Sequence, residues 1–161
     1  MRETLFNWLA PRVPGARCLD LFAGSGALGL EALSRGAAHV TFIERDRTAA
    51  REIATRLHEW GALGAQIETV DALRFLDGKP AKPFDIAFLD PPFASTLLRE
   101  SARRLEQGGW LARDALIYLE CPADLEPPPT LPASWTPVKA KQAGEVGYHL
   151  YSRAVRGTDI E

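Results

Sequence analysis

The feature that most constrains the fold of this chain is a pair of prolines directly after an apolar run. The run is Phe84 to Leu89, and the residues that follow it are Asp90, Pro91, Pro92 and Phe93. Because proline has no N–H for a sheet ladder, a strand over the run must end here, and the residue before a proline is held extended. Asp90 is therefore predicted to lie at the carboxyl end of a strand, which is where ligands bind in an open α/β sheet.

The same segment can carry chemistry as well as a turn. The Asp90 carboxylate and the Pro91 carbonyl are two acceptors that can hold the hydrogens of an exocyclic amino group, and the Phe93 ring can stack on the base that carries this group. A bare proline turn is more often structural, with the aromatic ring filling the core. The chemical interpretation therefore depends on what else the chain brings to this edge.

Strand-like and helix-like patterns alternate along the chain, and a hairpin with a connection too short for a parallel crossover follows. The sequence predicts an α/β fold: a Rossmann-like doubly wound sheet of seven strands, mostly parallel, with one antiparallel strand near the C-terminus. The predicted strands are 17–23, 38–43, 66–70, 84–89, 115–120, 136–142 and 146–153. The predicted helices are 1–9, one ending at Ser34, one capped by Asp46 that buries Ala50, Ile53, Leu57 and Trp60, a turn over 71–76, and one starting at Ser95. Residues 121–133 are expected to be mostly irregular.

Size and charge narrow the classes of protein that fit. A length of 161 residues predicts a single domain over residues 1–161, and a net charge of −2 means that any basic surface must be local. No apolar run nears the ~20 residues that span a bilayer, and two cysteines are too few for a disulfide framework. We expect a cytoplasmic protein with no membrane partner, and no residues have metal-ligand spacing.

A glycine-rich turn joins the first predicted strand to its helix. Gly24, Gly26 and Gly29 match the dinucleotide fingerprint, and Glu44 lies at the distance expected for an acid that binds ribose hydroxyls. A nicotinamide cofactor and S-adenosylmethionine both need such a turn followed by an acid after the second strand. The glycines alone leave both cofactors open, together with a tight turn that binds nothing.

Two further acids favour the methyl donor. Asp20 precedes the glycines, where it suits a cofactor with an ammonium group and no pyrophosphate, and Asp71-Ala72 after the third strand offers a carboxylate and an N–H to an adenine edge. Asp71 alone is more often a helix cap. Together with Asp90, these acids occupy one sheet edge in the order that a methyl donor and an amino acceptor require.

Several strings of the chain resemble the RsmD family of bacterial 16S ribosomal RNA guanine-N2 methyltransferases. They are residues 20–29, 31–37, 42–46 and 90–93, with 2–9 and the closing 143–144 and 150–151 also similar. The resemblance implies a class I fold that uses S-adenosylmethionine, releases S-adenosylhomocysteine and needs no metal. The partner it implies is 16S rRNA within a small-subunit assembly particle, and we expect a monomer. Family members have a further basic segment before the counterpart of Arg2, which this sequence lacks and which is expected to help grip RNA.

The residues expected to act follow from these strings. The cofactor-binding set is Asp20, Phe22, Ala23, Gly24, Ser25 and Gly26 at the methionine end, Glu44 and Arg45 beside the ribose, and Asp71 and Ala72 on the adenine. The catalytic set is Asp90, Pro91, Pro92 and Phe93. RNA contacts would come from Arg99, Arg103 and Arg104 or from Lys139 and Lys141, although each set is more often an ordinary solvated face.

Other functions remain compatible with parts of the pattern. An amino methyltransferase acting on DNA adenine or cytosine, or on a protein glutamine, shares the Asp-Pro-Pro-Phe segment. A nicotinamide-dependent oxidoreductase would explain the glycines but not that segment. A Rossmann-like binding module without catalysis would keep the fold alone.

Overall fold

The computed structural model describes residues 2–92, 95–125 and 130–154, which form alternating helices and strands. The helices are α1 (Arg2–Leu9), α2 (Ala27–Ser34), α3 (Arg47–Trp60), α4 (Ala72–Leu76) and α5 (Ser95–Gln107). The strands are β1 (Arg17–Asp20), β2 (His39–Ile43), β3 (Ala65–Glu68), β4 (Phe84–Leu89), β5 (Leu111–Pro122), β6 (Trp135–Ala143) and β7 (Val146–Arg153). A 3₁₀ turn, Ala123–Leu125, follows β5. No helix in the described part of the chain is long and apolar enough to cross a membrane.

The strands form one seven-stranded sheet in the order β3-β2-β1-β4-β5-β7-β6. Neighbours from β3 to β5 pair in parallel, whereas β7 is antiparallel to both β5 and β6. Six strands therefore run in one direction and only β7 runs against them, which confirms the predicted fold class. The order reverses at β1 and β4, so the crevice at their carboxyl ends is the expected ligand site.

Apolar side chains cover both faces of the sheet, as expected when helices pack on either side. One core cluster contains Leu19, Ala87 and Ile117, and it packs against α4 and α5. The other contains Cys18, Phe88 and Tyr118, and it packs against α1, α2 and α3. Adjacent residues of a strand thus enter opposite cores, which fixes the direction of every side chain at the strand ends.

Helix α2 lies unusually close to the sheet because of one glycine. A Cβ atom built on Gly29 would lie 2.3 Å from Cε2 of Phe42 on β2, which is closer than real atoms approach. Any larger residue would push the helix away from the strand. The third glycine of the fingerprint is therefore explained by helix-to-sheet packing.

The C-terminal hairpin is fastened to α5 by one partly buried ion pair. Arg153 on β7 donates from Nε to Oε1 of Glu106 and from Nη2 to Oε2, both at 2.8 Å. The indole N–H of Trp135 on β6 also donates to Oε1 of Glu106, at 2.9 Å. Burial alone would raise the pKa of Glu106, but these donors outweigh it and lower the pKa below its ordinary value.

Some predicted boundaries and one predicted core residue were wrong. Trp60 was expected on the buried face of α3, but its side chain is 52% exposed because it lies on the last helical turn, directly before the left-handed Gly61. Strand β5 begins at Leu111 rather than residue 115 and continues through Cys121 and Pro122, two residues that were expected to be irregular. Its pairing register with β4 shifts between Phe84 and Ile86, so exposed Arg113 and Asp114 interrupt the apolar pattern. Strands β1 and β3 end earlier than expected, at Asp20 and Glu68.

Candidate active site

A cavity of about 1080 Å³ opens at the carboxyl ends of the parallel strands. Twelve of the predicted site residues line it: Asp20, Phe22, Ala23, Gly24, Ser25, Glu44, Arg45, Asp71, Ala72, Asp90, Pro91 and Pro92. Gly26 is not among the lining residues, and Phe93 lies outside the described residues. The structure therefore brings both halves of the predicted site, the glycine turn and the proline turn, to one cavity.

Asp20 ends β1 and is the most deeply buried acid of the site. Its residue exposure is 2%, and Oδ2 accepts a hydrogen bond of 3.0 Å from the backbone N–H of Gly29 in the first turn of α2. Burial raises the pKa of Asp20 to about 7; the Gly29 hydrogen bond opposes this rise, and the charges of Asp90 and Glu44 add to it. No lysine or arginine pairs with it among the described residues. A ligand ammonium group would supply the missing positive charge.

The turn after β1 is shaped by its two left-handed glycines. Gly24 has φ 57° and Gly26 has φ 81°, and the Gly26 N–H donates to the Ala23 carbonyl at 2.8 Å. A Cβ on Gly26 would lie 2.9 Å from Cγ1 of Ile53 on α3, so this glycine faces the neighbouring helix. Gly26 is the left-handed N-cap of α2, and residues 22–25 before it line the cavity.

Glu44 follows β2 and is held on both sides by backbone donors. Gly24 N–H donates to Oε1 and Asp46 N–H donates to Oε2, each at 2.8 Å. The carboxylate therefore links the glycine turn to the start of α3, where Asp46 caps the helix as predicted. Each oxygen keeps a second lone pair, so a fixed Glu44 can still accept from two ribose hydroxyls.

Asp71 is a helix cap and a cavity residue at once. Its Oδ2 accepts from the N–H groups of Leu73 and Arg74, at 3.1 and 3.3 Å, at the start of α4. These hydrogen bonds show that Asp71 caps α4, which was the alternative interpretation of this residue. Asp71 and Ala72 also line the cavity, next to Val70, where a flat adenine would meet apolar and acceptor groups together.

Asp90 lies directly after β4, and Pro91 and Pro92 follow it along the cavity wall. The residue is exposed to the cavity, yet the surrounding protein removes enough water to raise the pKa of Asp90 above its ordinary value. Repulsion between Asp90 and Asp20 also contributes to the raised pKa of Asp20. The two carboxylates therefore line one cavity and are near enough for their charges to interact.

The cavity extends further than the sequence indicated. It continues over the ends of β5 and β7, where Glu120, Cys121, Pro122, Asp124, Glu145 and Val146 line it. The backbone N–H of Ala123 donates to the Glu145 carbonyl at 2.8 Å and joins the two strand ends. Glu120 was not predicted as a site residue, because β5 continues past it to Pro122 and the sequence does not mark it as a strand end. The hairpin residues were not predicted either, because only tertiary packing brings them here.

The basic residues considered for RNA contact divide into two groups. Arg103 pairs with Glu100, and Arg104 donates to Glu100 at 2.9 Å and to Asp77 at 2.8 Å, so both serve ion pairs within the protein. Lys139 and Lys141 lie on the edge strand β6, whose residues 136–143 are all exposed. In the described ranges, no group of histidine, cysteine and acidic residues has the arrangement of a metal site.

Comparison with known proteins gives consistent results along nearly the whole chain. The family model for conserved hypothetical protein 95 matches residues 1–152. Ribosomal RNA small subunit methyltransferase D of Escherichia coli K12 is 49% identical over 157 residues, which cover 98% of this chain and 78% of the relative. The Haemophilus influenzae protein of the same name is 44% identical over 154 residues, covering 94% and 79%.

Solved structures agree with the sequence comparisons. A protein from Escherichia coli described as a methyltransferase superposes with a TM-score of 0.92 at 48% identity, over 96% of this chain and 86% of that one. A protein from Haemophilus influenzae described as a methylase gives a TM-score of 0.87 at 41% identity, over 96% of both chains. The family model spans residues 1–152, a range that contains every residue lining the cavity.

Proposed function

The chain belongs to the RsmD family of ribosomal RNA methyltransferases, and on that premise we propose that it transfers a methyl group from S-adenosylmethionine to the exocyclic N2 of a guanine in 16S ribosomal RNA. The observation that carries this proposal is the set of strand-end acids around one cavity. Asp20 ends β1, and Glu44, Asp71 and Asp90 follow the parallel strands β2, β3 and β4 of the same sheet. Arg45 is the only lysine or arginine among the residues described as lining the cavity.

The charge of this cavity favours a methyl donor over a nicotinamide cofactor. A pyrophosphate beside Asp20, Glu44 and Asp90 would be repelled by each of them. S-adenosylmethionine carries an ammonium group and a sulfonium, which these carboxylates attract. The buried carboxylate of Asp20, which has no lysine or arginine partner among the described residues, fits the ammonium group. Glu44 fits the ribose hydroxyls, and Asp71 with the Ala72 N–H fits the adenine edge.

The protein's part in the reaction is alignment of the amine. When bound, the cofactor supplies a methyl carbon whose bond to sulfur breaks, with the electron pair going to sulfur, as its bond to the nitrogen forms. Asp90 and the Pro91 carbonyl accept the two N–H groups and turn the nitrogen lone pair out of the ring plane. Asp90 then stabilises the positive charge that develops on the amine until it loses a proton. Holding both reactants in this way is worth on the order of 7–11 kcal/mol of the barrier.

We propose that the acceptor end of the cavity, beside Asp90, takes a single unstacked base. A guanine in a helix must leave its stack to reach Asp90, as in other enzymes that modify bases. Phe93 remains the predicted stacking partner of that base. We propose that the enzyme acts as a monomer in the cytoplasm, on 16S ribosomal RNA inside a small-subunit assembly particle.

The direct test is methyl transfer with a tritium-labelled donor. The acceptors are 30S particles and naked 16S ribosomal RNA from cells that lack this modification, with duplex DNA as the control. Label should enter one guanine, mapped after nuclease digestion and identified as N2-methylguanine, and particles should be the better substrate. Label in DNA, or in a base other than guanine, would contradict the proposed acceptor.

Cofactor choice is tested separately by thermal shift. S-adenosylhomocysteine at 100 times its Kd should stabilise the protein by about 2.7 kcal/mol, whereas NAD at the same concentration should leave the melting temperature unchanged. Stabilisation by NAD alone would overturn the assignment of the donor.

A further inference from the structure

A second carboxylate stands beside Asp90 at the acceptor end of the cavity. Leu89 of β4 is paired in register with Leu119 of β5, so the next residues, Asp90 and Glu120, are neighbours on adjacent parallel strands. Neighbouring strands lie about 4.8 Å apart. Asp90 and Glu120 line the same cavity. Each follows a leucine, Leu89 or Leu119, that is buried in the core cluster packed against α4 and α5. Because side chains alternate along a strand, the two acids extend from the other face of the sheet.

Glu120 is held in place by a buried tyrosine. The hydroxyl of Tyr118 donates to Oε2 of Glu120 at 2.9 Å. The Tyr118 residue is only 1% exposed, and its ring stacks on Tyr148, with centroids 6.5 Å apart and an interplanar angle of 16°. This hydrogen bond engages one oxygen of Glu120 and orients the carboxylate, which still has lone pairs for a ligand in the cavity.

The methyl-transfer mechanism above makes no use of this anchored acid. Asp90 and the Pro91 carbonyl already accept both hydrogens of the exocyclic amine. A further acceptor beside them complements a base that carries another N–H next to its amine. Guanine has that arrangement, because its N1–H lies beside the N2 amine, whereas adenine and cytosine present a lone pair beside their amines. A carboxylate at that point attracts the first pattern and repels the second.

We propose that Glu120 accepts the N1–H of the target base and thereby selects guanine over bases with a lone pair at that position. This inference rests on the proposed function and deepens it, because it assigns the choice of base to one residue. Glu120 contributes specificity, and Asp90 contributes alignment of the reacting amine. The Tyr118 hydroxyl positions Glu120 for its task.

The test exchanges the target guanine for 2,6-diaminopurine, which keeps the 2-amine but has a lone pair at N1. Once the modified nucleotide is mapped, 30S particles are reconstituted from ligated 16S RNA that carries either base there. The ratio of kcat/KM for guanine to that for 2,6-diaminopurine is measured for the wild type and for Glu120→Gln. The glutamine amide can donate to the N1 lone pair, so this ratio should fall at least about 10-fold. Glu120→Asp, which keeps the carboxylate, should preserve the preference for guanine.

Two controls separate a specificity effect from a loss of structure. Binding of S-adenosylhomocysteine, followed by thermal shift, reports that each variant is folded with an intact donor site. Glu145→Gln changes another acid that lines the cavity and should leave the ratio at its wild-type value. If the wild type methylates guanine and Glu120→Gln leaves the ratio unchanged, the role of Glu120 is overturned while the proposed function stands. If the wild type methylates neither base, the proposed function fails and the role of Glu120 fails with it.

Discussion

The acids at the carboxyl edge of the sheet and the acids of helix α5 have opposite environments. Asp20, Asp90 and Glu120 line a cavity, and burial raises the pKa of each. Glu100 and Glu106 on α5 accept hydrogen bonds from arginines, and the pKa of each is lowered. The ionised form of a carboxyl group is therefore destabilised at the carboxyl edge of the sheet and stabilised on α5.

The difference is that the acids of the cavity lack arginine partners among the described residues, whereas the acids of α5 have them. An arginine beside Asp20 or Asp90 would stabilise the ionised carboxylate. It would also occupy the position that a positively charged or N–H-bearing group of a ligand would take. Glu100 and Glu106 are not among the residues that line the cavity, and Arg103, Arg104 and Arg153 neutralise them directly. Functional sites commonly carry such perturbed groups at a cost in stability.

The strongest test of the difference between cavity acids and α5 acids is to remove Asp90, the acid nearest the proposed chemistry. Asp90→Ala should lower the rate of methyl transfer at least ~100-fold, because an oriented partner of the amine is lost. Its affinity for S-adenosylhomocysteine should change little. Single-turnover kinetics and calorimetric titration measure the two quantities. Asp114→Ala, an exposed acid outside the cavity, serves as the control. Near-normal turnover in Asp90→Ala would mean that the carboxyl edge does not act as proposed.

Asp20 tests whether its missing counter-charge is the cofactor's ammonium group. Asp20→Asn keeps an acceptor for the Gly29 N–H but should weaken binding of S-adenosylhomocysteine at least ~30-fold, as expected when a buried charge loses its partner. The pKa of about 7 makes wild-type affinity fall roughly tenfold per unit as pH drops below 7, because the ionised form becomes scarce. Affinity of Asp20→Asn should lack this component, and titration calorimetry from pH 5 to 8 compares the two.

The same substitution has the opposite effect on stability. The folded protein holds the Asp20 proton more tightly than the unfolded chain, so this group costs stability as pH rises from the ordinary value of 3.8 towards about 7. Asp20→Asn should therefore raise the melting temperature of the ligand-free protein, by more at pH 8 than at pH 5. An equal gain at both pH values would show that ionisation of Asp20 is not the cause.

A smaller effect is expected on the other side of the comparison. Glu106→Ala should reduce the free energy of unfolding by about 1–2 kcal/mol, since it leaves Arg153 and Trp135 without their partly buried acceptor. With a lowered pKa, Glu106 stabilises the fold above its ordinary value of 4.5, and this stabilisation disappears as pH falls through the folded pKa. Denaturant titrations at pH 7 and pH 3 should show the difference from wild type shrinking at low pH.

Glu100→Gln is the matched control on the same helix. Its arginine pairs are more exposed than the Arg153–Glu106 pair, so solvent screening should leave a smaller loss of stability than that of Glu106→Ala. A loss as large as that of Glu106→Ala would show that burial does not set the strength of these pairs.

Strand-end residues were predictable where the sequence marks the end of a strand. Asp90 is marked by two prolines and Glu44 by the spacing from the glycine turn, and both line the cavity. Glu120 carries no such mark, because β5 continues to Pro122. Glu145 reaches the site only because β7 returns antiparallel beside β5, a long-range pairing that no local pattern encodes. Trp60 was misplaced because helical periodicity defines a face but not how far the neighbouring layer extends.

The close approach of Gly29 to Phe42 has a consequence for reading genomes. A Gly-x-Gly-x-x-Gly string after a strand is often used to assign nucleotide cofactors to uncharacterised chains. In this protein the last glycine of the string lets a helix pack closely against a sheet. Many unrelated enzymes have the same packing requirement. Surveys that count the string will therefore over-assign dehydrogenases unless they also ask whether an acid stands just before the first glycine.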